Sequence, residues 1–381
     1  MLKNPGKLKI LNVGDIHFFH DQTPTKHIID NLNRYLVVKD ILKDVDLLTI
    51  AGDVFDCQVP YDDPRVGEVE RWITHLLRAC AACNVVVRVV EGTPSHDRRQ
   101  SDVFNRQAEA LELDVDVKWV STLSIEHIDK LGIDILYVPD KWNPISTEDT
   151  YQQVLGLLKQ HGLQSVHVAL MHGAFEYQLP VIVKEPAHDS EKYQKIVKFL
   201  IFIGHVHVSM PRDRIVPSGS FDRLTHGEEG DKGFHLATVD IETNDFYLMF
   251  IKNLGAKIYK TVDLRSGLES EVWDTAKALV EKYPLGSSFN FKTRANDSVT
   301  KAISEIRKAF SGYSWKISLE KSKKEKDEEM EAALEANMEV LPDLTPDVIR
   351  QLVKEILLEK EIEPTALEEV DVRLEEILSE K

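Results

Sequence analysis

Aspartate and histidine residues recur at short spacings in five segments of the 381-residue chain, and each segment follows an apolar stretch. Imidazole and carboxylate groups bind divalent metal ions, and two such ions roughly 3.5–4 Å apart can stabilise both the attacking and the leaving oxygen of a phosphoryl transfer. The residue types therefore indicate two-metal chemistry. The segments are Gly14-Asp15-Ile16-His17, Gly52-Asp53-Val54-Phe55-Asp56, Gly92-Thr93-Pro94-Ser95-His96-Asp97, Met171-His172-Gly173 and Gly204-His205-Val206-His207.

The spacing within these segments suggests how the ligands could converge. Alternate residues of an extended strand share a face, so Asp15 and His17 are expected on one side of the backbone, and His205 and His207 likewise. Glycines before Asp53 and His205 would let the backbone turn sharply. Each motif alone is weak, because a single Asp-X-His is more often a surface pair and a single histidine is more often part of a core. Their combination, each after an apolar strand, predicts a metal site.

These segments need strands that bring their ends together, and the surrounding sequence predicts an α/β fold. Apolar runs rich in β-branched residues alternate with amphipathic helical patterns. In such sheets, sites lie at the carboxyl ends of the strands. The predicted strands are 7–15, 46–51, 84–90, 199–203 and 234–241, with helices at about 27–43 and 66–82 and a strand–helix–strand unit over 133–171.

Four regions are predicted along the chain. Residues 1–255 contain all five segments, and residues 256–320 form a small α/β domain. Residues 321–344 begin with an almost fully charged stretch and are expected to be a linker or an exposed helix. Residues 345–381 carry two amphipathic helices whose apolar stripes are too small for a core of their own, so they must pack on this protein or on a partner. The elements expected in the small domain are strands 257–262, 288–292 and 314–319 and helices 268–282 and 299–310.

The net charge of −17 is unusual for a protein that binds nucleic acid. Residues 321–381 contain 9 Lys+Arg and 19 Asp+Glu, a net charge of −10, which leaves −7 for residues 1–320. Two bound divalent ions would offset part of that charge, so the composition does not exclude a nuclease. No run of about 18 apolar residues predicts a membrane span. The N-terminus lacks the apolar core of a signal peptide, so a cytoplasmic location is expected.

The three cysteines, Cys57, Cys80 and Cys83, are too few and odd in number for a disulfide framework, which fits a reducing compartment. Cys80 and Cys83 form a C-x-x-C motif, but no second pair of ligands follows, as a zinc site would need. Two small buried residues at the end of a helix are expected instead.

The order of these motifs resembles that of the calcineurin-like metallophosphoesterases, and within them the Mre11/SbcD-type DNA repair nucleases and their phage relatives. Asp-X-His, Gly-Asp, His-Asp, His and Gly-His-X-His follow one another, and Pro217-Ser218-Gly219-Ser220 and Lys232-Gly233-Phe234 extend the match over about residues 7–245. The resemblance implies a four-layer α/β/β/α metallophosphoesterase sandwich in residues 1–255. It also implies a small α/β cap domain and a C-terminal helical pair.

The resemblance further implies two divalent metal ions, with manganese expected. The implied ligands are Asp15, His17 and His207 for one ion, His172 and His205 for the other, and Asp53 between them. His96, oriented by Asp97, would stabilise developing charge or protonate the leaving oxygen. One residue departs from the family pattern, because Ser95 stands where an asparagine is expected. A serine hydroxyl is a poorer ligand, so the second ion is expected to bind less tightly.

DNA and a second protein are the partners that the resemblance implies. The small domain would grip DNA, and its candidate phosphate contacts are Lys292, Arg294, Lys301, Arg307 and Lys308. A solvated basic face of an ordinary domain is the alternative. Tyr313 and Trp315 are expected in the core rather than against bases. The terminal helices would dock on an SbcC/Rad50-like ATPase, with the chain a homodimer within a heterotetramer of a bacterial or phage-infected cell, or would pack as a hairpin on their own.

Two other functions stay open at this stage. A phosphatase or phosphodiesterase acting on a small molecule or a protein could use the same metal site. Protein phosphatases of this superfamily usually place an arginine soon after Gly-Asp and a glutamate after Asn-His, where this chain has Asp56 and Asp97. A structural or DNA-tethering subunit with a site weakened at Ser95 is the non-enzymatic alternative. The leading prediction is a double-strand exonuclease, with endonuclease activity, that serves DNA repair or recombination.

Overall fold

The computed structural model describes residues 2–60, 62–140, 146–179, 186–264, 269–293 and 297–319, apart from the side chains of Lys39 and of residues 297–299. Residues 1–318 form one unit by their internal contacts. The predicted charged linker and C-terminal helical pair lie outside the described residues, as does Arg294.

Strands and helices alternate along most of the described chain. The strands are β1 (Lys7–Val13), β2 (Leu47–Ile50), β3 (Val86–Val90), β4 (Val117–Val120), β5 (Ser124–Ile128), β6 (Ile133–Val138), β7 (Val166–Gly173), β8 (Val197–His205), β9 (Ile215–Pro217), β10 (Gly233–Asp240), β11 (Phe246–Lys252), β12 (Tyr259–Asp263), β13 (Ser288–Thr293) and β14 (Ser314–Leu319). The helices are α1 (Thr25–Tyr35), α2 (Lys39–Leu42), α3 (Pro64–Cys83), α4 (Val103–Ala110), α5 (Thr147–Gln160), α6 (Ser190–Ile196), α7 (Glu269–Lys282) and α8 (Asp297–Ala309). Among the helices described, none is both long and apolar enough to cross a membrane.

Two large sheets of mixed direction contain most of the strands. The first has the order β11-β10-β1-β2-β3-β4, and its strands β1 to β4 run parallel. The second has the order β5-β6-β7-β8-β9, and its strands β6 to β9 run parallel. Helices connect successive parallel strands, such as α3 between β2 and β3, which is the crossover that parallel pairing requires. These features confirm the predicted α/β fold.

Three hydrophobic clusters hold the large sheets and their helices. One contains residues of both sheets, including Leu8 and Val86 from the first and Tyr137 and Phe202 from the second. Another joins the first sheet to α1, α3 and α4. The third joins the second sheet to α5 and α6. Burial of apolar surface contributes about 25 cal/mol per Å², so these clusters are the main source of stability and fix the strand ends in place.

Local signals set the limits of α3. Asp63 caps its N-terminus by accepting the backbone N–H two residues on, and Pro64 occupies the first turn. Asn84 ends the helix in the left-handed conformation, with a φ of 57°. In the last turn, Cys80 is buried and Cys83 is half-buried. Both cysteines lie at the helix end, as predicted, but only Cys80 is fully buried.

Some predicted limits are wrong. The helix expected over 27–43 ends at Tyr35, and a separate short helix follows after Val37 and Val38, whose β-branched side chains disfavour helix continuation. The first strand ends at Val13 instead of residue 15. Strands β4, β5, β9 and β11 were not predicted, and each lies at the edge of a large sheet. Strands β4, β5 and β9 are only three to five residues long, whereas β11 is an apolar run whose residues are all partly or fully exposed.

A third sheet, of order β12-β13-β14, lies in the region predicted as a small α/β domain. With α7 and α8 it has a hydrophobic cluster of its own, which includes Phe289, Phe291, Ile303 and Trp315. The five elements of this region confirm the predicted alternation of strands and helices. Trp315 is 6% exposed, as expected of a core residue. The domain boundary after residue 255 stays a prediction.

Candidate metal centre

The histidines and aspartates of the five segments lie where the carboxyl ends of the parallel strands of the two large sheets meet. Asp15 and Asp53 follow β1 and β2 of the first sheet, and His172 and His205 lie at the ends of β7 and β8 of the second. Hydrogen bonds cross between the sheets here. The backbone N–H of His205 donates to Asp15 Oδ1 at 2.8 Å, and His172 Nδ1 lies 2.7 Å from the carbonyl oxygen of Ala51. Both large sheets therefore contribute to one site.

The backbone at these residues is not extended, so the predicted strand geometry of the two motifs is wrong. Asp15, His17 and Asp53 have φ values of 47°, 53° and 47°, and His205 has 99°. Such conformations cost a residue other than glycine on the order of 1–3 kcal/mol each, and they cluster at functional sites. His205 and His207 do not share a face but belong to two different clusters of potential ligands. Strained turns, rather than strands, aim these side chains.

The first cluster consists of Asp15, His17 and His207, whose potential ligand atoms lie within 4.8 Å of one another. In both histidines of this cluster, a carboxylate lies beside the Nδ1 atom of the ring. Asp56 Oδ1 is 3.1 Å from His17 Nδ1, and Glu228 Oε1 is 2.9 Å from His207 Nδ1. With Nδ1 of each ring turned to a carboxylate, the two Nε2 atoms face each other, 3.0 Å apart. One cation, or one shared proton, can lie between two nitrogens placed in this way.

The second cluster consists of Asp53, His172 and His205, again with ligand atoms within 4.8 Å of one another. Asp53 Oδ2 is 3.3 Å from His172 Nε2 and 3.8 Å from His17 Nε2, so one carboxylate oxygen reaches both clusters. The bond between His172 Nδ1 and Ala51 leaves Nε2 turned toward Asp53. Asp53 therefore stands between the clusters, where a bridging ligand is required.

The donor set of these clusters fits a pair of divalent cations. Asp15 Oδ2 is buried and has no hydrogen-bond partner among the described residues, and a buried carboxylate oxygen in that state is costly unless a cation takes it. Electrostatics at His172 agree. Burial alone would lower the pKa of His172, but the charges of Asp53 and Asp15 raise it to about 10. The site therefore attracts positive charge strongly.

His96 lies beside the first cluster. Its ring centre is 5.1 Å from that of His17, and together with Asp56 these two histidines form a third group of potential ligands. The Nδ1 atom of His96 is hydrogen-bonded to the backbone carbonyl oxygen of Asp56. This bond makes Nδ1 the donor and leaves Nε2 available for another partner.

Asp97 does not orient His96, contrary to the prediction. Its fully buried carboxylate instead accepts the backbone N–H groups of Phe55 at 3.0 Å and Gly92 at 2.9 Å. Burial and the nearby charge of Asp53 raise the pKa of Asp97 well above its usual range. The side chain points into the interior and ties the turn after β3 to the turn after β2.

The turn after β3 carries Ser95, the predicted ligand, but this side chain is exposed and has no hydrogen bond to the clusters within the described structure. Thr93 is the residue of that turn that reaches the second cluster. Its N–H donates to Asp53 Oδ1 at 2.5 Å, and its hydroxyl oxygen lies 3.1 Å from Asp53 Oδ2 and 3.2 Å from His172 Nε2. Ser95 was predicted because it directly precedes His96. Thr93 directly follows Gly92, the glycine after β3, and two further residues separate it from His96.

Glu228 and Lys232 were not predicted as part of the site. Lys232 is 4% exposed, and its Nζ donates to the His207 carbonyl oxygen at 2.8 Å, to Ser220 Oγ at 2.6 Å and to Glu228 Oε2 at 2.9 Å. Burial lowers the pKa of Lys232. Burial alone would raise the pKa of Glu228, but the hydrogen bond from His207 and the charge of Lys232 lower it to about 2. Glu228 therefore stays ionised and makes the His207 imidazole a better ligand.

Glycines let the turns of the site approach one another closely. A side chain at Gly92 would overlap the backbone and carboxylate of Asp53, and one at Gly52 would overlap the His172 ring. Gly52 also has a φ of 79°, which only glycine adopts readily. The glycines therefore allow loop-to-loop contact, in addition to the sharp turns that the sequence suggested.

The predicted DNA contacts lie in the small three-stranded region. Those within the described residues are all exposed: Lys292, Lys301, Arg307 and Lys308. The guanidinium of Arg307 also donates two hydrogen bonds to the carbonyl oxygen of Trp315, at 3.1 and 2.8 Å, which fasten α8 to β14. Exposed lysine and arginine side chains are what contacts to phosphate need.

Comparison with known proteins adds little to this description. No family model matches the chain, and no curated protein matches it. A solved structure with 14% identity covers 64% of this chain and 99% of its own, with a TM-score of 0.35. A likeness at that level carries no argument about fold or function.

Proposed function

We propose that the chain is a two-metal-dependent DNA nuclease of the Mre11/SbcD type, within the calcineurin-like metallophosphoesterases. The observation that carries this proposal is the pair of three-residue clusters, which draw on both large sheets and meet at Asp53. The members of each cluster are those that the resemblance assigns to each ion. The proposed enzyme degrades double-stranded DNA from its ends and also cuts internally.

Each residue has a part in this chemistry. Two bound divalent ions, for which we propose manganese, would polarise a phosphodiester and activate a nucleophile at neutral pH. The aspartates and histidines of the clusters hold them, and Asp56 and Glu228 orient His17 and His207. The carbonyl oxygen bonded to His96 Nδ1 fixes that atom as a donor, so a protonated ring carries its second proton at Nε2. His96 would deliver that proton to the leaving oxygen or stabilise the charge that develops there.

The proposal includes the four-layer α/β/β/α arrangement. It is supported by the membership of the hydrophobic clusters, because one cluster is shared by the two sheets and each sheet has a further cluster with its helices. Residues 256–320 would then act as the cap and residues 345–381 as the partner-binding helical pair, with residues 321–344 as their linker.

DNA and an ATPase are the proposed partners. Exposed basic side chains of the small region support phosphate contacts, although the chain as a whole is acidic. The net charge of −10 in residues 321–381 favours a protein partner for that segment. We propose an SbcC/Rad50-like ATPase, with this chain as a homodimer in a cytoplasmic heterotetramer that serves DNA repair or recombination.

Cleavage of linear double-stranded DNA with manganese tests this function. The parent is compared with Asp53→Asn and His96→Ala, and with Asp62→Asn as a control, because Asp62 is exposed on the same loop. We expect Asp53→Asn to abolish cleavage, His96→Ala to lower it by about 100-fold or more, and the control to match the parent. Turnover of a small phosphodiester without DNA cleavage would favour a small-molecule phosphodiesterase. Tight DNA binding without turnover of either substrate would favour a structural subunit.

A further inference from the structure

We infer that the hydroxyl of Thr93 is a ligand of the second ion, in place of the serine that the motif suggested. The inference rests on the proposed function only in taking the second cluster as a cation site. It concerns a residue type that is uncommon as a ligand in a site of imidazoles and carboxylates. It also changes which residue of the turn after β3 determines how tightly that ion is held.

The position of the Thr93 hydroxyl is the first observation. Its oxygen lies 3.1 Å from Asp53 Oδ2, 3.2 Å from His172 Nε2 and 3.4 Å from His205 Nδ1. These are potential ligand atoms of all three members of the second cluster. An oxygen that approaches three potential ligand atoms of a site is placed among them, as a fourth ligand must be.

The rigidity of this residue is the second observation. The Thr93 N–H donates to Asp53 Oδ1, so the backbone of the turn is fixed to the same carboxylate that the hydroxyl approaches. Threonine is β-branched and has few accessible χ1 rotamers, which keeps its hydroxyl in one place. Ser95, by contrast, is exposed two residues further along the turn. Pro94 and Ser95 lengthen the turn between the cluster and His96 without entering it.

The chemistry of a hydroxyl ligand sets the properties of the second ion. A neutral hydroxyl oxygen adds no negative charge, so the second cluster relies on Asp53 alone for charge and shares it with the first. The first cluster has Asp15 as well, and its histidines are backed by Asp56 and Glu228. We therefore expect the ion held by Thr93 to be the weaker of the two.

A cysteine scan with cobalt tests direct ligation. A thiolate that binds cobalt gives a sulfur-to-metal charge-transfer band, and cysteine thiolates are good ligands for transition-metal ions. We expect the band in Thr93→Cys loaded with cobalt, and not in Ser95→Cys or in the parent, which controls for Cys57, Cys80 and Cys83. A band in Ser95→Cys but not in Thr93→Cys would overturn the inference and restore Ser95 as the ligand.

Manganese binding by calorimetry provides the second test and does not depend on the cysteine variants. We expect Thr93→Val to weaken one of the two ions by about 10-fold or more, Thr93→Asn to restore it, and Ser95→Ala to leave both unchanged. Equal affinities in the parent and Thr93→Val would overturn the inference. A parent that binds a single ion would overturn both the inference and the two-metal function. A parent that binds two ions with the expected Thr93 dependence but cuts no DNA would remove the nuclease function alone.

Discussion

Two polar clusters associated with the large sheets, each built around a buried charged residue, differ in how well their polar groups are satisfied. The one that we call the balanced cluster is centred on Arg88 of β3, which is 3% exposed. Its guanidinium lies 3.0 Å from Glu126 of β5 and 2.8 Å from Asp116. Tyr137 of β6 donates its hydroxyl to the same glutamate. Every charged group of this cluster has a partner of opposite charge within the protein, and the bonds join one large sheet to the other.

The two clusters of the candidate metal centre, by contrast, leave one carboxylate oxygen unsatisfied within the described residues. Asp15 keeps a buried oxygen without a partner among the described residues, and the Nε2 atoms of His17 and His207 face each other. A buried carboxylate oxygen without a hydrogen bond costs about 1–3 kcal/mol, so a fold that carries one is less stable than it could be unless a cation completes the group. The contrast separates a cluster that stabilises the protein from one that, on our proposal, binds a cation.

Breaking the balanced cluster is expected to have the largest effect. Arg88→Met leaves Glu126 without its main partner, so the free energy of unfolding of the metal-free protein should fall by about 3 kcal/mol in urea denaturation. Manganese affinity should stay as in the parent. The control is Arg106→Met, which removes an exposed arginine of α4 and should change stability by less than about 0.5 kcal/mol. A parallel loss of manganese affinity would mean that the two clusters are not independent.

Removing the charge of Asp15 should act in the opposite direction on the metal-free protein. Asp15→Asn removes the charge from a buried side chain that keeps one oxygen without a partner among the described residues, so we expect a gain of about 1 kcal/mol in the free energy of unfolding without metal. With manganese at a hundred times its Kd, the parent should gain about 2.7 kcal/mol for each ion. The free energy of unfolding of the variant should rise only by the contribution of the second ion, about 2.7 kcal/mol. Denaturation with and without manganese measures both effects, and a variant that is less stable than the parent without metal would contradict this account.

The carboxylate behind His17 sharpens the comparison further. Asp56→Ala removes the acceptor of His17 Nδ1 but keeps the backbone oxygen that holds His96. We expect the first ion to bind about 10–100-fold more weakly, because outer carboxylates orient a histidine ligand and raise its basicity. Calorimetric titration should show the second ion unchanged. Asp62→Ala is the matched control, and a similar loss in that variant would show that the effect comes from the loop rather than from the bond to His17.

Much of the fold was readable from the sequence because the inner strands are continuous apolar runs. Strands β1, β2, β3, β7 and β8 are buried on both faces, and each ends at one of the motifs. Strands β4, β5 and β9 are too short to give that signal, and β11 is apolar without being buried. The small region was readable for the same reason, because its five elements keep a regular apolar pattern around Phe289 and Trp315.

The site was only partly readable. Residue types and their order identified the six aspartates and histidines of the two clusters, but side-chain partners depend on backbone turns that local patterns do not specify. His17 sits at a φ of 53°, which no strand pattern predicts. Asp97 turns inward to two backbone N–H groups instead of toward His96. Glu228 reaches His207 only because the loop folds back, a contact between residues 21 apart in the sequence.

The smallest expected effect is the pH dependence of the balanced cluster. Burial alone would raise the pKa of Glu126, but hydrogen bonds from Arg88 and Tyr137 lower it below the ordinary value of 4.5. A carboxylate whose pKa falls on folding contributes stability that is full above about pH 4.5 and is lost as the pH drops through the folded value. Glu126→Gln should therefore be about 1 kcal/mol less stable than the parent at neutral pH, and the gap should shrink below about pH 4.5.

Urea denaturation of both proteins across that pH range measures the gap. Glutamine keeps an oxygen that can accept from Arg88, so the variant loses the charge of the pair and retains much of its hydrogen bonding. A gap that stays constant down to about pH 3 would mean that the charge contributes nothing and that hydrogen bonds alone stabilise the cluster. The two clusters would then differ in hydrogen-bond satisfaction, and the unpartnered oxygen of Asp15 would be the feature that distinguishes the metal site.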